Sequence, residues 1–324
     1  MKNETEILKG LVIRGSRNIM TVRIEDGEPF ELECRIKGKV LKGSEKFYNP
    51  LAPGDIVVTE RQKNTNTVRD TVRDNALILS VEKRRNLFCR FNQKGNASQL
   101  LAANVDLVLC ICTPDSPPFR PRFVDRVLLQ ADFAGIEPLI ICNKIDLDPD
   151  DLDVNERLED FKRIGYKILR VSAKTGEGLD ELRRQIAGKT SVLTGQSGVG
   201  KSSLINALQP GLDIKEGELN EKYNRGVHTT TMSYMIDLAD NTRLIDTPGV
   251  RLFIPDGIEK DEIITHMREF APLAGKCSFG MSCSHVTEPG CKILEAVAAG
   301  IIHEDRYESY LRIRDCLEGK YSDD

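Results

Sequence analysis

Residues Gly195, Gln196, Ser197, Gly198, Val199, Gly200, Lys201 and Ser202 read GxxxxGK with a hydroxyl residue last. The run follows the apolar stretch Ser191–Leu193 and leads into a helical segment opened by Ser203. Glycines at these places let successive backbone N–H groups curl around a phosphate, and a helix N-terminus adds its dipole. Lys201 would reach the β- and γ-phosphates, and Ser202 would ligate Mg²⁺.

A phosphate loop does not choose between bases. Asn143, Lys144, Ile145 and Asp146 do, at the end of the apolar run Leu139–Cys142. Guanine presents two adjacent donors, and the Asp146 carboxylate can accept both. Asn143 can meet the base edge and tie the loop down, while the Lys144 stem covers the base face. Ser172, Ala173 and Lys174 again stand just after an apolar run, and in small GTPases a turn of this sequence presents a backbone N–H to guanine O6. Open α/β sheets place ligands at such strand ends.

Two further segments follow the phosphate loop. Gly226-Val-His-Thr-Thr-Thr231 offers a threonine to Mg²⁺ and the γ-phosphate. Thr229, Thr230 and Thr231 are all candidates, with Thr230 favoured. Asp246-Thr-Pro-Gly249 puts a carboxylate beside a Mg²⁺ water and the Gly249 N–H on the γ-phosphate. Where many GTPases have a water-orienting glutamine, the chain has Val250. Hydrolysis then needs another group. His228 is the internal candidate as water-orienting residue or base, and a solvated loop histidine is the alternative.

Cys277-x5-Cys283-x-His285-x5-Cys291 gathers three thiols and an imidazole within fifteen residues. That donor set suits a closed tetrahedral zinc site of the structural kind. The other apolar-flanked cysteines, Cys34, Cys89, Cys110, Cys112 and Cys142, read as buried small hydrophobes of a cytosolic protein.

The elements that must carry these groups show in the periodicity. Over residues 10–95, Met20/Val22/Ile24 and Phe30/Leu32/Cys34/Ile36 alternate with polar residues, with Ile56–Val58 and Leu77/Leu79/Val81 beyond them. Short strands with glycine turns suit a small barrel of the OB type, and Gln62–Asn75 reads as a mobile loop. From about residue 100, apolar runs alternate with helical segments near 121–134, 153–164, 178–187 and 201–208. That is the mark of βαβ units and a mainly parallel sheet. Helical stretches follow near 259–271, 291–300 and 304–317.

The 324 residues carry a net charge of −4, unevenly spread. Residues 1–95 hold 19 Lys and Arg against 13 Asp and Glu, and the remainder is net acidic. A basic module on an acidic body points to a polyanionic partner. No apolar run is long enough to span a bilayer, and Met1–Lys9 lacks a signal-peptide core.

The motif order, base readers first, phosphate loop next and switches last, resembles that of the RsgA (YjeQ) family of small ribosomal subunit biogenesis GTPases. The resemblance runs through NKID, SAKTGEGLDEL, GQSGVGKSSLIN, GVHTTT, DTPG and CSHVTEPGC, and the stretches at Asn92–Ser98 and Leu101–Asn104 look like that family's linker. It implies a circularly permuted multidomain α/β protein. The expected domains are an OB-like β-barrel over 1–95 that binds RNA or ribosome, a P-loop GTPase domain over 96–255 with a mainly parallel sheet and helices on both faces, and a helical zinc-binding domain over 256–324. It further implies GTP/GDP, Mg²⁺ and one structural Zn²⁺ as cofactors, and the small ribosomal subunit and its rRNA as partners. The expected protein is a cytoplasmic monomer, off the membrane, acting late in subunit maturation with subunit-stimulated activity. His228 and Val250 match the family's switch histidine and its hydrophobic replacement of the glutamine. The family commonly has four residues between its first two zinc cysteines, where this chain has five. Rival readings are an RNA-binding assembly module with a nearly inactive site, and a permuted GTPase of the large subunit.

Overall fold

The computed structural model describes residues 4–15, 19–37, 47–63, 76–147, 152–212, 214 and 233–319. In chain order the strands are β1 (Glu4–Gly15), β2 (Met20–Ile24), β3 (Phe30–Ile36), β4 (Ile56–Lys63), β5 (Ala76–Val81), β6 (Leu87–Asn92), β7 (Ala97–Ala103), β8 (Leu107–Cys112), β9 (Glu137–Cys142), β10 (Lys167–Arg170), β11 (Thr190–Gly195), β12 (Tyr234–Asp237) and β13 (Arg243–Asp246). The helices are α1 (Pro121–Phe133), α2 (Leu152–Arg163), α3 (Leu179–Ile186), α4 (Lys201–Leu208), α5 (Ile263–His266), α6 (Lys292–Ala298) and α7 (Glu304–Leu317). By compactness they fall into two units.

The first unit comprises Met1–Asp106, Ile186–Leu193 and Asn220–Pro248. Its N-terminal strands pair in the order β1-β2-β3-β5-β4, and β4 returns to β1. The β3–β5 step is parallel and the others antiparallel, so five strands close a barrel of OB type. The alternation seen in sequence fills it. Leu32 and Cys34 point inward with Met20, Val22, Ile24, Val57 and Ile78, while Glu31, Glu33 and Arg35 face water. β1 had no clear signature, because Glu4–Lys9 is polar and Ile7 is exposed. Its pairing with β4 nevertheless runs unbroken from Glu4 to Leu11. It pairs with β2 from Leu11 to Gly15, with a register shift between Val12 and Arg14, and Arg14 pairs with Tyr234 of β12.

Within the same unit, β12 and β13 form an antiparallel hairpin, and β13 runs parallel to β11. Ion pairs flank the β1–β12 junction, with Arg23 on Asp237 at 2.6 Å and Arg243 on Glu25 at 2.5 Å. The stretch expected to be linker is partly a hairpin, β6–β7. Asn49 stitches it down, giving Nδ2 to the Leu100 carbonyl and accepting the Leu100 N–H on Oδ1. Of the expected loop, Gln62 and Lys63 belong to β4, and 64–75 lie outside the described residues.

The second unit comprises Leu107–Gln185, Thr194–Leu219 and Gly249–Asp324. β8, β9 and β10 are parallel neighbours, and the apolar runs of β8 and β9 are buried on both faces. Crossover helix α1 starts on Pro121 and buries Val124, Val127, Leu128 and Ala131 at helical spacing. It stops in a Schellman turn. Gly135 sits at φ +65°, and the Ile136 N–H reaches the Ala131 carbonyl at 2.9 Å. The C-terminal elements pack around Ile263, Met267, Phe270, Ile293, Tyr310 and Ile313, with Cys277, Cys283 and Cys291 in the same core. The helix expected near 259–271 is only the single turn α5. Met267 is extended (ψ 115°), which ends the helix while Met267 and Phe270 turn into the core. Among the described residues no helix is long and apolar enough to cross a membrane.

A buried charge cluster joins α7 to α1. Arg306, 1% exposed, donates to Asp125 at 2.7 Å and to both oxygens of Glu269 at 2.5 and 2.9 Å. The Ser309 hydroxyl donates to the other Asp125 oxygen. The segment after Gly249 is also held to α1. Gln130 accepts the Asp256 N–H at 2.7 Å, and Phe253 stands edge-on to Phe123.

Candidate nucleotide and metal sites

Asn143 follows β9 and is fully buried, its N–H bonded to the Cys112 carbonyl. Its side chain gives Nδ2 to the Val199 carbonyl at 2.9 Å and accepts the Ala173 N–H at 3.1 Å. One amide thus ties the base-reading loop to the phosphate loop and to the Ser-Ala-Lys turn. These bonds use one of the two Nδ2 hydrogens and one of the two Oδ1 lone pairs, so tethering leaves room for contact with the base edge. Lys144, in the left-handed region at φ +62°, sends Nζ to the Ser116 and Gly198 carbonyls at 2.5 and 2.7 Å. It therefore ties the phosphate loop to the segment between β8 and α1. Ile145 is buried beneath them, its N–H on Val171.

Asp146 accepts the Ser172 hydroxyl at 2.6 Å on one oxygen and has Lys174 Nζ 3.6 Å from the other. The Ser172 hydroxyl first, then the local backbone and Lys174, hold its carboxyl below the usual range. An ionised carboxylate offers about four acceptor positions, so two guanine donors remain accommodated. Sequence reasoning assigned Ser172 to the turn and missed this bond. No local pattern signals it, because the two residues meet only when β9 and β10 lie side by side.

The phosphate loop joins β11 to α4. Gly198 and Gly200 sit at φ +83° and +86°, where side-chained residues are strained. A Cβ on Gly200 would also lie 2.6 Å from Asn143 Nδ2. Lys201 Nζ is 3.3 and 3.4 Å from the Gly195 and Gln196 carbonyls. Ser202 and Ser203 are in the first turn of α4, and Ser202 is half-buried. Gly249 packs closely on the loop. A Cβ there would stand 3.0 Å from Lys201 Nζ and 3.2 Å from the Ser197 Cα. Two φ-positive glycines, a lysine and the first turn of a helix are the parts a di- or triphosphate requires.

Asp246, in the first unit, ends β13 and is 8% exposed. The Tyr234 hydroxyl donates to it at 2.8 Å across the hairpin. Tyr234 also escaped sequence reasoning, since only the register Tyr234↔Asp246 brings them together. Thr247 anchors the turn by donating to the Leu193 carbonyl. His228 and Thr230, with Thr229 and Thr231, lie outside the described residues.

The Cys/His group is brought together as its spacing implied. The ligand atoms of Cys277, Cys283, His285 and Cys291 all lie within 4.8 Å of one another, and all four residues are buried. Cys277 and Cys291 Sγ are 3.9 Å apart, and His285 Nδ1 is 3.5 and 3.4 Å from them. Tetrahedral bonds of about 2.3 Å to sulfur and about 2.0 Å to nitrogen give edges of about 3.8 and about 3.5 Å. The donor set and spacings therefore fit zinc. The fifth residue between the first cysteines is taken up in a single 3₁₀ turn, Gly280–Ser282, with Gly280 at φ +56°. The Lys292 N–H donates to Cys277 Sγ, and the Tyr307 and Tyr310 hydroxyls hold the His285 and Ser284 carbonyls. Glu288, which sequence reasoning missed, accepts the N–H groups of Ser284, Val286 and Thr287. Those bonds hold its carboxyl well below the usual range and shape the ligand loop.

Comparison with known proteins agrees with this geometry. The family model described as RsgA GTPase matches residues 81–254. The chain belongs to the RsgA GTPase family. It is 37% identical to the small ribosomal subunit biogenesis GTPase RsgA of Flavobacterium johnsoniae, over 98% of this chain and 96% of that one. The RsgA of Bacteroides fragilis is also 37% identical, over 97% and 99%. Among solved structures, YjeQ from Thermotoga maritima superposes with a TM-score of 0.72 at 32% identity, covering 98% of this chain and all of that one. YloQ, a circularly permuted GTPase, has the same fold at a TM-score of 0.67 and 24% identity. This member is accordingly a circularly permuted GTPase using GTP, GDP and Mg²⁺.

Proposed function

We propose that this RsgA-family protein binds the small ribosomal subunit through its rRNA, acts late in that subunit's maturation, and hydrolyses GTP faster when bound. The observation that carries the nucleotide half is the Asn143 tether, which joins both base-reading segments to the phosphate loop. The ribosomal half is supported by relatives named small ribosomal subunit biogenesis GTPase along almost the whole chain.

In this reading Asp146 accepts the two guanine donors, the Lys144 stem lies against the base, and the 172–174 turn faces O6. Residues 195–203 wrap the phosphates. Lys201 offsets charge on the β- and γ-phosphates, and the Gly249 N–H senses the γ-phosphate. Mg²⁺, when bound, would supply charge to offset that developing on the phosphate oxygens. Ser202 and Thr230 would hold it, with Asp246 behind one of its waters, positioned by Tyr234. Hydrolysis moves a water oxygen onto γ-phosphorus and leaves the bridging oxygen on GDP. His228 orients that water, since Val250 has no polar atom to do so. One zinc on Cys277, Cys283, His285 and Cys291 is structural, because four protein ligands leave no open position. The functional division is a barrel over 1–95 that meets RNA, a GTPase domain over 96–255 and a zinc domain over 256–324, in a cytoplasmic monomer.

The test is GTP turnover titrated with purified small subunits, large subunits and free RNA. Stimulation by small subunits alone is expected. Equal stimulation by all three, or none by small subunits, rejects the assignment.

A further inference from the structure

A cavity of about 480 Å³ opens in the second unit where the start of α1, the segment after Gly249 and α7 converge. Five arginines line it, Arg120, Arg122, Arg126, Arg251 and Arg312, together with Gln196 of the phosphate loop. Asp305 is the one carboxylate in the lining, and it lies 3.6 Å from Arg157 Nε. Arg122 and Arg312 share Glu308 just outside, at 2.7 and 2.9 Å. Arg126 is buried and points toward the Phe253 carbonyl. Arg120 and Arg251 are exposed, and neither has a carboxylate within ion-pair distance among the described residues.

Five guanidinium groups around one small cavity, against two carboxylates, repel one another unless an anion joins them. The guanidinium fork matches a phosphate through paired, charge-assisted hydrogen bonds. The cavity opens to solvent beside these exposed arginines, so a phosphate that remains part of a long chain can enter. We propose that this cavity binds a backbone phosphate of RNA; the choice of RNA rests on the ribosomal reading above. The site also touches the nucleotide machinery on two sides. Gln196 belongs to the phosphate loop, and Arg251 is two residues beyond Gly249.

The experiment uses the full chain and a double variant, Arg120→Gln with Arg251→Gln. A charge-matched control, Lys162→Gln with Arg184→Gln, alters exposed residues of α2 and α3 outside the cavity. Thermal unfolding of each free protein reports folding. Affinity for purified small subunits, and for the RNA extracted from them, is measured across a salt series. A lost phosphate contact lowers the log–log salt slope by about 1, so the double variant, which gives up the one phosphate in the cavity, should lose about 1 and the control nothing. Affinity should fall on the order of tenfold, and Arg120→Lys with Arg251→Lys should restore most of the slope. A double variant with the wild-type slope on both probes overturns the proposal. So does weaker subunit binding with an unchanged slope, which would mean that the cavity meets a ribosomal protein. If wild type ignores subunits but binds the extracted RNA with the arginine-dependent slope, the ribosomal reading fails and the phosphate site stands. If wild type binds neither, both fall.

Discussion

In the proposed reading Asp146 carries the selectivity for guanine, and its chemistry makes that testable. Asp146→Asn replaces an acceptor oxygen by a donor NH₂, which suits xanthine. Preference should move from GTP toward XTP in competition binding, by on the order of a hundredfold or more for a mismatched hydrogen-bonding edge; full GTP affinity in the variant would refute the role. Ser172 is the larger cause of that carboxyl's low pKa. A carboxylate whose folded pKa lies below its unfolded value, about 3.9, stabilises the fold above that value and loses the contribution as pH falls through the folded one. Ser172→Ala should therefore cost most stability near neutral pH, and the gap from wild type should close as melts are taken below about pH 4. A gap constant down to acid would show that the bond does not act through charge. At His228 the expectation is kinetic. His228→Ala should leave GTP affinity intact and lower subunit-stimulated turnover by about 10²–10⁴, the usual range for a lost acid–base group. Normal turnover would move the water-orienting role to a group supplied in trans. The segments Gly195–Ser202, Asn143–Asp146 and Asp246–Gly249 were legible because GxxxxGK, NKxD and DxxG are local strings. Tyr234, Glu288 and the Ser172–Asp146 bond were not, because each depends on strand register or loop closure.

The elements differ in how much of themselves they announce. β3 alternates cleanly because one face is core and the other solvent, and α4 and α7 lie where helical segments were expected, near 201–208 and 304–317. β1 hid because its polar first half is held by backbone pairing with β4 rather than by burial. α5 shrank because tertiary burial of Met267 and Phe270 overrode helix propensity. The α7–α1 junction rests on Arg306, and removing it strands Asp125 and Glu269 in the core. Arg306→Ala should cost about 3–5 kcal/mol in denaturant unfolding, and a loss under 1 kcal/mol would mean that water reaches the cluster. Around the metal ligands, stripping zinc or making Cys283→Ser should raise hydrogen exchange over 256–319 far more than over β8–β10. Structural zinc supplies folding free energy directly, on the order of 10 kcal/mol in small domains. Purified protein holding no zinc would reject the site.

At the scale of the whole molecule, the circular order of the motifs is the most legible feature of the sequence, and it survives in a structure matching permuted GTPases from end to end. Less legible is that compactness does not follow that order. The strands after the phosphate-binding region, β12 and β13, belong with the barrel rather than with β8–β10. No linear reading would group them so, because the grouping depends on Arg14 meeting Tyr234 and on Arg23 and Arg243 reaching across.

That junction bears on how the protein can be cut. A fragment starting near residue 96 would keep every nucleotide motif yet leave β12 with an open hydrogen-bonding margin, and with Asp237 and Arg243 deprived of their counterions on β2 and just beyond it. Bare strand margins recruit other strands. Such a fragment should self-associate at concentrations where the full chain does not, as sedimentation velocity would reveal. It should also bind Mg²⁺-nucleotide more weakly, because the strand holding Tyr234 against Asp246 has lost its neighbour.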